Sequence, residues 1–183
     1  MTIYFVTSNK GKFGEVKDIL SSFYVVQKDI GYPEIQSSSL EEIIVFGLNS
    51  LQDTGIEKII IEDSGLFIDA FQGFPGVYSA YIYQCIGSSG ILKLMEGVEN
   101  RRAVFRSMIG YKENIDGDVT LFEGACKGSI SKIPKGDQGF GFDPIFIPQG
   151  SNITFAQMTK QQKNSYSHRG KSVRKLKNFL EKR

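Results

Sequence analysis

The sequence predicts an α/β fold, in which a mixed β-sheet is flanked by helices on both faces. Segments rich in β-branched and aromatic residues alternate with helical apolar stripes in both halves of the chain, and one pair of strand-like segments flanks a tight-turn signal. The length of 183 residues, with 40% hydrophobic and 23% charged residues, is typical of one domain, divided at most into two lobes. We therefore treat residues 1–183 as a single domain.

The N-terminal part reads as strand, helix, strand. Residues 3–7 are β-branched and aromatic and predict the first strand. Phe13, Val16 and Leu20 then recur on one helical face, and a second strand is expected at about residues 24–27.

A capping box of Ser39 and Glu42 starts the next helix, which we expect to end near Gly55. Residues 58–61 follow as a short apolar strand of the kind that is buried on both faces of a sheet. We expect this strand to end at the sequence Glu-Asp-Ser-Gly of residues 62–65.

Residues 77–86 and 90–95 are expected to be helical, after a Gly/Pro loop at residues 73–76. Residues 103–111 and 119–131 flank the Asp-Gly turn signal and predict an antiparallel pair. The remaining expected elements are a short strand at 145–147, a capped helix that begins at 159–162 and a last helix with Val173, Leu176, Phe179 and Leu180 on one stripe.

Composition excludes several kinds of chemistry. Cys85 and Cys126 are the only cysteines and have no metal or redox spacing, and His168 is the only histidine. No apolar run approaches the ~20 residues of a membrane-spanning helix, and the first residues lack the features of a secretory leader. We expect a cytoplasmic protein that works with carboxylates, lysines, arginines and backbone amides.

The net charge is +2, but the charged residues are unevenly distributed along the chain: residues 151–183 contain nine Lys/Arg and one acid. A nucleic-acid-binding module could use this basic end, but the acidic remainder would repel phosphates. We expect no nucleic-acid partner and no membrane. A purely structural role would leave the clustered acids described below unexplained.

A loop that could bind phosphate joins the first strand to the first helix. Free N–H groups at a helix N-terminus favour an anion, and two lysines strengthen that preference. The spacing is not that of a Walker A loop, so an ordinary βα turn is the alternative. The loop consists of Thr7, Ser8, Asn9, Lys10, Gly11 and Lys12.

The adjacent acids Glu62 and Asp63 follow a strand predicted to be buried, where two carboxylates need a cation or a pairing partner. Mg²⁺ binds carboxylate and phosphate oxygens together and would satisfy them. N-capping of the next segment by Asp63 or Ser64 is the alternative. Glu34, in an irregular stretch after Pro33, has no evident structural role.

Two further segments could contact a ligand. The loop of Phe140, Gly141, Phe142 and Asp143 could form a platform on which a nucleobase stacks, or a small satellite core. His168 and Arg169 begin the last helix, where positive charge opposes the helix dipole unless an electron-rich group lies nearby. Lys163 is close enough in sequence to face the same pocket.

Taken together, these segments resemble the inosine triphosphate pyrophosphatase family, the non-canonical purine NTP pyrophosphatases. The matching segments are TSNKGK at 7–12, YPEIQ at 32–36, EDSGLFIDAFQGFPGVYSA at 62–80, GFGFDPIF at 139–146 and TFAQMTKQQKNSYSHRGKSVRKL at 154–176. The resemblance implies an elongated fold of two lobes with the active site in a central cleft, Mg²⁺ dependence and a homodimer. It also implies hydrolysis of ITP, dITP and XTP to the nucleoside monophosphate and pyrophosphate.

By the same resemblance, residues 7–12 bind the triphosphate, Glu34 and Asp63 bind the metal, and Asp63 is the general base. Glu62 is a third candidate ligand. The substrate contacts implied elsewhere are Ser64, Phe140, Gly141, Phe142, Asp143, Lys163, His168 and Arg169, with Phe142 stacked on the purine.

Donors such as Arg169, Lys163 and His168 would favour bases with a keto group at C6 over adenine, which presents an amino group there. The resemblance fails at one point, since a family lysine on the second helix has no counterpart among residues 45–47 (Val-Phe-Gly). A pyrophosphatase that acts on pyrimidine or other modified nucleotides is the alternative enzyme.

Overall fold

The computed structural model describes all residues, 1–183, and its strands form one seven-stranded mixed sheet. The strands are β1 (Thr2–Val6), β2 (Tyr24–Lys28), β3 (Ile59–Ile68), β4 (Pro75–Gly76), β5 (Arg102–Lys112), β6 (Thr120–Ile130) and β7 (Phe146–Pro148). The helices are α1 (Lys10–Ile19), α2 (Leu40–Ser50), α3 (Ser79–Leu94), α4 (Lys160–Tyr166) and α5 (His168–Leu180). The predicted α/β class with a mixed sheet is confirmed.

The strand order is β2-β1-β3-β5-β6-β7, with β4 paired to β3 outside this path. β1 is parallel to β2 and to β3, because α1 and α2 return the chain to the same edge of the sheet. All other pairs are antiparallel, including the predicted hairpin of β5 and β6. The loop that joins β1 to α1 therefore lies in the part of the sheet where neighbouring strands are parallel.

Helices cover both faces of the sheet, and β3 shows this in its alternating side chains. Ile60 belongs to the apolar cluster with α1 and α5, whereas Ile59 and Ile61 belong to the cluster with α2. Continuing the same alternation, Glu62 points towards α5 and Asp63 towards the face of α2. A third cluster, which includes Leu66, Phe105 and Phe146, lies at the other end of the sheet against α3.

Strand β3 corrects one expectation. It does not end at residues 62–65 but continues to Ile68, and all ten of its residues pair with β5. Glu62 and Asp63 thus lie in the middle of a central strand, opposite Ile109 and Met108. Acidic residues rarely lie within a buried strand, because burial of an isolated charge is costly. Here the cations Lys12 of α1 and Arg169 of α5 compensate the charge.

The helix boundaries follow local signals. Ser39 caps α2 by accepting from the amide of Glu42, and the predicted break between the two halves of α3 falls at Gly87, whose φ is 61°. Ser167 caps α5, so that His168 and Arg169 occupy the first turn of α5 as expected. No helix in the fold is long and apolar enough to span a membrane.

Candidate active site

Two adjoining cavities lie where the β1–α1 loop, β3, α3 and the start of α5 meet. We call the first the aromatic cavity, of about 270 Å³, because Phe105, Phe140, Phe142 and Tyr83 line it. The second, of about 500 Å³, is the acidic cavity, lined in part by Asp29, Glu34, Glu62 and Asp63. Five residues line both cavities and mark their junction: Asn9, Lys12, Asp63, Ala80 and Gln84.

The β1–α1 loop borders the acidic cavity through Thr7, Ser8 and Asn9. Asn9 is the N-cap of α1: its Oδ1 accepts a hydrogen bond from the Lys12 amide at 2.9 Å, and its own amide donates to Thr7 Oγ1 at 3.1 Å. This cap places the N-terminus of α1, with its partial positive charge, at the cavity wall. Lys10 is exposed and lines neither cavity.

Lys12 bridges the two acids of β3. Its Nζ lies 3.0 Å from Glu62 Oε2 and 3.6 Å from Asp63 Oδ1, and it also donates to the Glu62 carbonyl at 3.2 Å. The lysine predicted to bind phosphate is therefore also the counter-ion of the acidic pair. This contact explains how both carboxylates are accommodated in a central strand.

A buried ion-pair network connects α1, β3 and α5. The guanidinium of Arg169, only 1% exposed, lies with Nη1 2.6 Å from Glu15 Oε2 and Nε 3.1 Å from Glu62 Oε1. Arg169 Nη2 donates to Ser64 Oγ at 2.8 Å. Glu15 also accepts from Lys163, whose Nζ lies 2.6 Å from Glu15 Oε1.

The sequence interpretation missed Glu15, which is 3% exposed although it lies on the surface helix α1. Its position three residues after Lys12 and next to the buried Val16 was a usable signal, because it places an acid beside the apolar stripe. The partners of Glu15 are 148 and 154 positions away in sequence, so local pattern could not identify them.

The network shifts the pKa values of its members. Burial alone would raise the pKa of Glu15, but the charges of Arg169 and Lys163 outweigh it and hold that pKa below its usual value. Burial likewise opposes ionisation of Glu62, and Arg169 and Lys12 overcome it, so its pKa is lowered. The two acids in turn raise the pKa of Arg169 against the effect of burial. All three groups therefore stay charged.

The loop at residues 139–143 forms one wall of the aromatic cavity. Asp143 is buried, and its Oδ2 accepts from the Phe140 amide at 2.8 Å and from Lys163 Nζ at 2.6 Å. The Phe140 ring lies 4.5 Å from Lys163 Nζ and packs on Gly11, where a Cβ would come within 2.6 Å of the ring. Gly11 thus lets the two predicted binding loops touch.

Phe142 contributes to the core as well as to the cavity wall. Its side chain is 3% exposed and packs edge-on against Tyr83, with ring centroids 5.2 Å apart. On the other wall, His168 stacks on Phe105 with centroids 4.6 Å apart and an interplanar angle of 8°. Burial, followed by the charge of Arg169, lowers the pKa of His168 well below its usual value, so the imidazole is neutral.

Asp63 faces the acidic cavity together with Glu34 and Tyr32. Burial raises the pKa of Asp63, Lys12 opposes this, and the charge of Glu62 adds to the increase. The pKa of the Tyr32 phenol is raised by burial and then by the charges of Asp63, Glu34 and Glu62. The hydroxyl of Tyr32 therefore stays protonated in the field of three acids.

The acids do not form a closed metal cage, since no group of three or more His, Cys, Asp or Glu side chains is positioned to hold an ion. This arrangement fits Mg²⁺, which commonly binds to proteins through one or two carboxylates and takes its other ligands from water and substrate phosphates. Glu34 and Asp63 supply two such carboxylates on one cavity. Glu62 has both oxygens engaged, by Lys12 and by Arg169 and Ser107.

The cavities bring together most of the residues that the sequence singled out. The acidic cavity is lined by Thr7, Ser8, Asn9, Lys12, Glu34, Glu62 and Asp63. The aromatic cavity is lined by Ser64, Phe140, Gly141, Phe142, Asp143, Lys163, His168 and Arg169. Lys10 and Gly11 lie outside both, and Tyr32, Tyr83 and Gln84 line them without having been predicted.

The fold of this chain is shared by solved Ham1 proteins. The structure of the Staphylococcus aureus Ham1 protein superposes with a TM-score of 0.85 and 29% sequence identity, and the match covers 99% of this chain and 98% of that one. The chain belongs to the Ham1 family, whose model matches residues 3–179.

Two archaeal relatives extend the comparison. The protein named dITP/XTP pyrophosphatase of Pyrococcus horikoshii is 52% identical over 176 residues, which is 95% of this chain and 94% of that protein. The protein of the same name in Thermococcus kodakarensis is 47% identical over 182 residues, covering 98% and 97%. The resemblance inferred from the five sequence segments is confirmed.

The buried network predicts a large stability loss on Glu15→Gln. The substitution keeps the shape but leaves Arg169 and Lys163 without their shared carboxylate, and loss of one partner of a buried pair costs about 3–5 kcal/mol. Urea unfolding measures the change in the free energy of unfolding. Asp18→Asn is the matched control on the same helix, because Asp18 pairs with Lys160 where both side chains are 49% exposed; we expect a loss below ~1 kcal/mol. Equal losses for the two variants would contradict the prediction.

The single histidine predicts the pH dependence of stability. An unfolded chain protonates His168 with a pKa of about 6.5, whereas the folded protein resists protonation, so stability is complete above that pH and falls as the pH decreases. The slope from this group reaches at most about 1.4 kcal/mol per pH unit. The variant His168→Phe keeps a ring against Phe105 but has no imidazole to protonate. Between pH 5 and 7 its free energy of unfolding should therefore depend less on pH than that of the unmodified protein. Parallel pH profiles of the two proteins would show that the buried imidazole accepts a proton.

Proposed function

We propose that this protein hydrolyses the non-canonical purine nucleoside triphosphates ITP, dITP and XTP to nucleoside monophosphate and pyrophosphate, which removes them from the nucleotide pool. The observation that carries the proposal is the junction of the two cavities, where Lys12 and Asp63 lie between an aromatic pocket and an acid-lined pocket. Relatives at 52% and 47% identity that are named dITP/XTP pyrophosphatases support it.

We assign the base to the aromatic cavity and the triphosphate to the acidic cavity. Phe140, Phe142 and Tyr83 offer ring surfaces for a purine, and base–aromatic stacking is typically worth about 1–3 kcal/mol. The amides at the start of α1 and Lys12 offer donors for phosphate oxygens. This orientation places the α-phosphorus at the junction, beside Asp63.

Glu34 and Asp63 would hold Mg²⁺ together with the triphosphate, because both carboxylates line the acidic cavity and the contact of Asp63 with Lys12 is the longer one, at 3.6 Å. Both oxygens of Glu62, by contrast, lie against Lys12 or against Arg169 and Ser107. A bound Mg²⁺ would neutralise charge that develops on the phosphate oxygens. Glu62 acts instead as the anchor of Lys12 and Arg169. An acid-lined pocket would otherwise repel a polyanion, which is a further reason to assign a cation here.

Asp63 is the proposed general base. It accepts the proton of a water molecule whose oxygen forms a bond to the α-phosphorus, while the bond from that phosphorus to the α–β bridging oxygen breaks and pyrophosphate leaves with the bonding electrons. The raised pKa of Asp63 brings it closer to the pH at which a base transfers protons well. Lys12 and the loop amides stabilise the departing pyrophosphate.

Base selection is proposed to follow from charged donors at the far wall. Lys163 and Arg169 line the aromatic cavity, and both pair with Glu15. A keto oxygen at C6 would accept from such a donor, whereas the amino group of adenine cannot. Ser64, His168 and Asp143 shape the same wall.

We further propose that residues 1–183 act as one unit, as a homodimer in the cytoplasm. The single sheet that includes all strands supports one unit. Exposed apolar side chains on α3, among them Tyr81 at 65% and Ile86 at 40% exposure, support burial against a second copy. Free nucleotides as substrates agree with a cytoplasmic site of action.

Product analysis tests the proposed function. The protein is incubated with Mg²⁺ and, separately, with ITP, XTP, dITP, GTP, ATP and CTP, and products are separated by ion-exchange chromatography. We expect monophosphate and pyrophosphate, with kcat/KM for ITP and XTP exceeding that for ATP on the order of 10²-fold or more. Diphosphate and orthophosphate as products would overturn the reaction assignment, and a preference for CTP would favour the alternative pyrophosphatase that acts on pyrimidine nucleotides.

Asp63→Asn tests the general base. The amide cannot accept the proton, so kcat should fall about 10²- to 10⁴-fold, while nucleotide binding stays measurable by calorimetry. Asp53→Asn is the control: Asp53 is exposed on a short 3-10 helix and lines neither cavity, so this variant should retain the kcat of the unmodified protein. A variant at position 63 with a normal kcat would exclude Asp63 as the base.

A further inference from the structure

Tyr32 lies in the acidic cavity although neither its sequence context nor the expected site residues indicated a role for it. The residue follows β2 in the irregular stretch before Glu34, and its ring packs against the apolar cluster of α2 and β3. The residue lines the acidic cavity together with Glu34, Glu62 and Asp63. The apolar part of the ring is thus fixed in the core, and the polar end faces the proposed site of chemistry.

Gly47 on α2 makes this position of the ring possible. A Cβ at residue 47 would lie 2.9 Å from Cδ2 and Cε2 of Tyr32 and 2.7 Å from Cδ1 of Ile61. Contacts this short are not found for real side chains, so any other residue at position 47 would displace Ile61 and the ring of Tyr32. Glycine inside a helix costs about 1 kcal/mol relative to alanine, and α2 carries this cost at the point where Tyr32 needs space. The same segment, residues 45–47, lacks the lysine that the resemblance led us to expect.

The hydroxyl adds a donor to a pocket dominated by acceptors. Ionised carboxylates can only accept hydrogen bonds, and the donors of Lys12 are shared between the phosphates and the acids Glu62 and Asp63. Phosphate oxygens that enter the cavity are acceptors too, and need donors that are free to meet them. A tyrosine O–H in this position can supply one without another full positive charge.

The position of Tyr32 indicates which phosphates it would meet. Tyr32 lines the acidic cavity but not the aromatic cavity, whereas Asp63 and Lys12 line both. If the base occupies the aromatic cavity, the α-phosphate lies at the shared residues and the β- and γ-phosphates extend towards Tyr32. The tyrosine is therefore on the side of the leaving group.

We propose that Tyr32 is a substrate-binding residue whose hydroxyl donates a hydrogen bond to the part of the triphosphate that leaves as pyrophosphate, from a position that Gly47 keeps open. This inference rests on the proposed function. Tyr32 would supply a hydrogen-bond donor in place of the lysine that is absent from α2. Substitutions at positions 32 and 47, which lie 15 residues apart in the sequence, would then affect the same contact with the substrate.

Tyr32→Phe tests the proposal, because it removes the hydroxyl and keeps the ring. We expect KM for the triphosphate to rise about 3- to 10-fold, the loss typical of one hydrogen bond, and inhibition by added pyrophosphate to weaken by a similar factor. Inhibition by the nucleoside monophosphate should be unchanged, and so should the thermal unfolding temperature. Tyr24→Phe, in which a hydroxyl is removed from a side chain that is 71% exposed on β2, is the control and should change none of these values.

Gly47→Ala provides the second variant. Displacement of the ring should reproduce the weaker pyrophosphate inhibition, and in a Tyr32→Phe background the same change should add little, since both act on one contact. Unchanged pyrophosphate inhibition in Tyr32→Phe overturns the proposal, and equal weakening for pyrophosphate and monophosphate overturns the assignment to the leaving group. If the unmodified protein hydrolyses none of the nucleotides, the proposed function itself fails, which is a different result from a normal Tyr32→Phe variant.

Discussion

The structure depends on the buried ion-pair network in which Arg169 holds Glu15 and Glu62 while Lys12 holds Glu62 and Asp63. This network joins three elements that are distant in sequence: the first helix, the central strand and the last helix. Ion pairs inside a protein stabilise it most when the remaining polar atoms also find partners, and here Ser64 and Ser107 supply two of them. Glu62 Oε2 and Arg169 Nε have ion-pair contacts but no hydrogen bond. The positions of the β1–α1 loop and of Asp63 are therefore fixed by electrostatics as well as by apolar packing.

The same network explains why β3 continues through its acids. A strand interior with Glu62 and Asp63 violates the usual preference of central strands for apolar residues, and such violations tend to occur at functional sites. The violation places one carboxylate on each face of the sheet: Glu62 anchors cations on the side of α5, and Asp63 faces the acidic cavity. A loop could carry the same two acids, but the ten-residue pairing of β3 with β5 holds them more rigidly.

The sequence predicted the features that local chemistry determines. The Ser39 cap of α2, the break in α3 and the hairpin of β5 and β6 follow from signals within a few residues, and all are present. The predicted capping box is only half formed, because the Glu42 carboxylate accepts from Ser37 Oγ and the Ser39 amide donates to that same hydroxyl. The length of β3 and the burial of Glu15 could not be predicted, because both depend on Arg169, which lies 154 positions after Glu15. The grouping of the site residues came from the family resemblance, since no periodicity shows that the two ends of the chain meet.

The charge balance of the site constrains what can bind there. The network and its neighbours contain four carboxylates, those of Glu15, Glu62, Asp63 and Asp143, against the three cations Lys12, Lys163 and Arg169. The neutral imidazole of His168 adds no charge, and Glu34 adds a further negative one at the cavity wall. A triphosphate bound in the proposed site would meet a net negative surface, so its binding would require positive charge beyond that of these side chains. A divalent cation held by Glu34 and Asp63 would supply it, and the helix N-terminus and the hydroxyl of Tyr32 would then act on phosphate oxygens whose charge is already reduced.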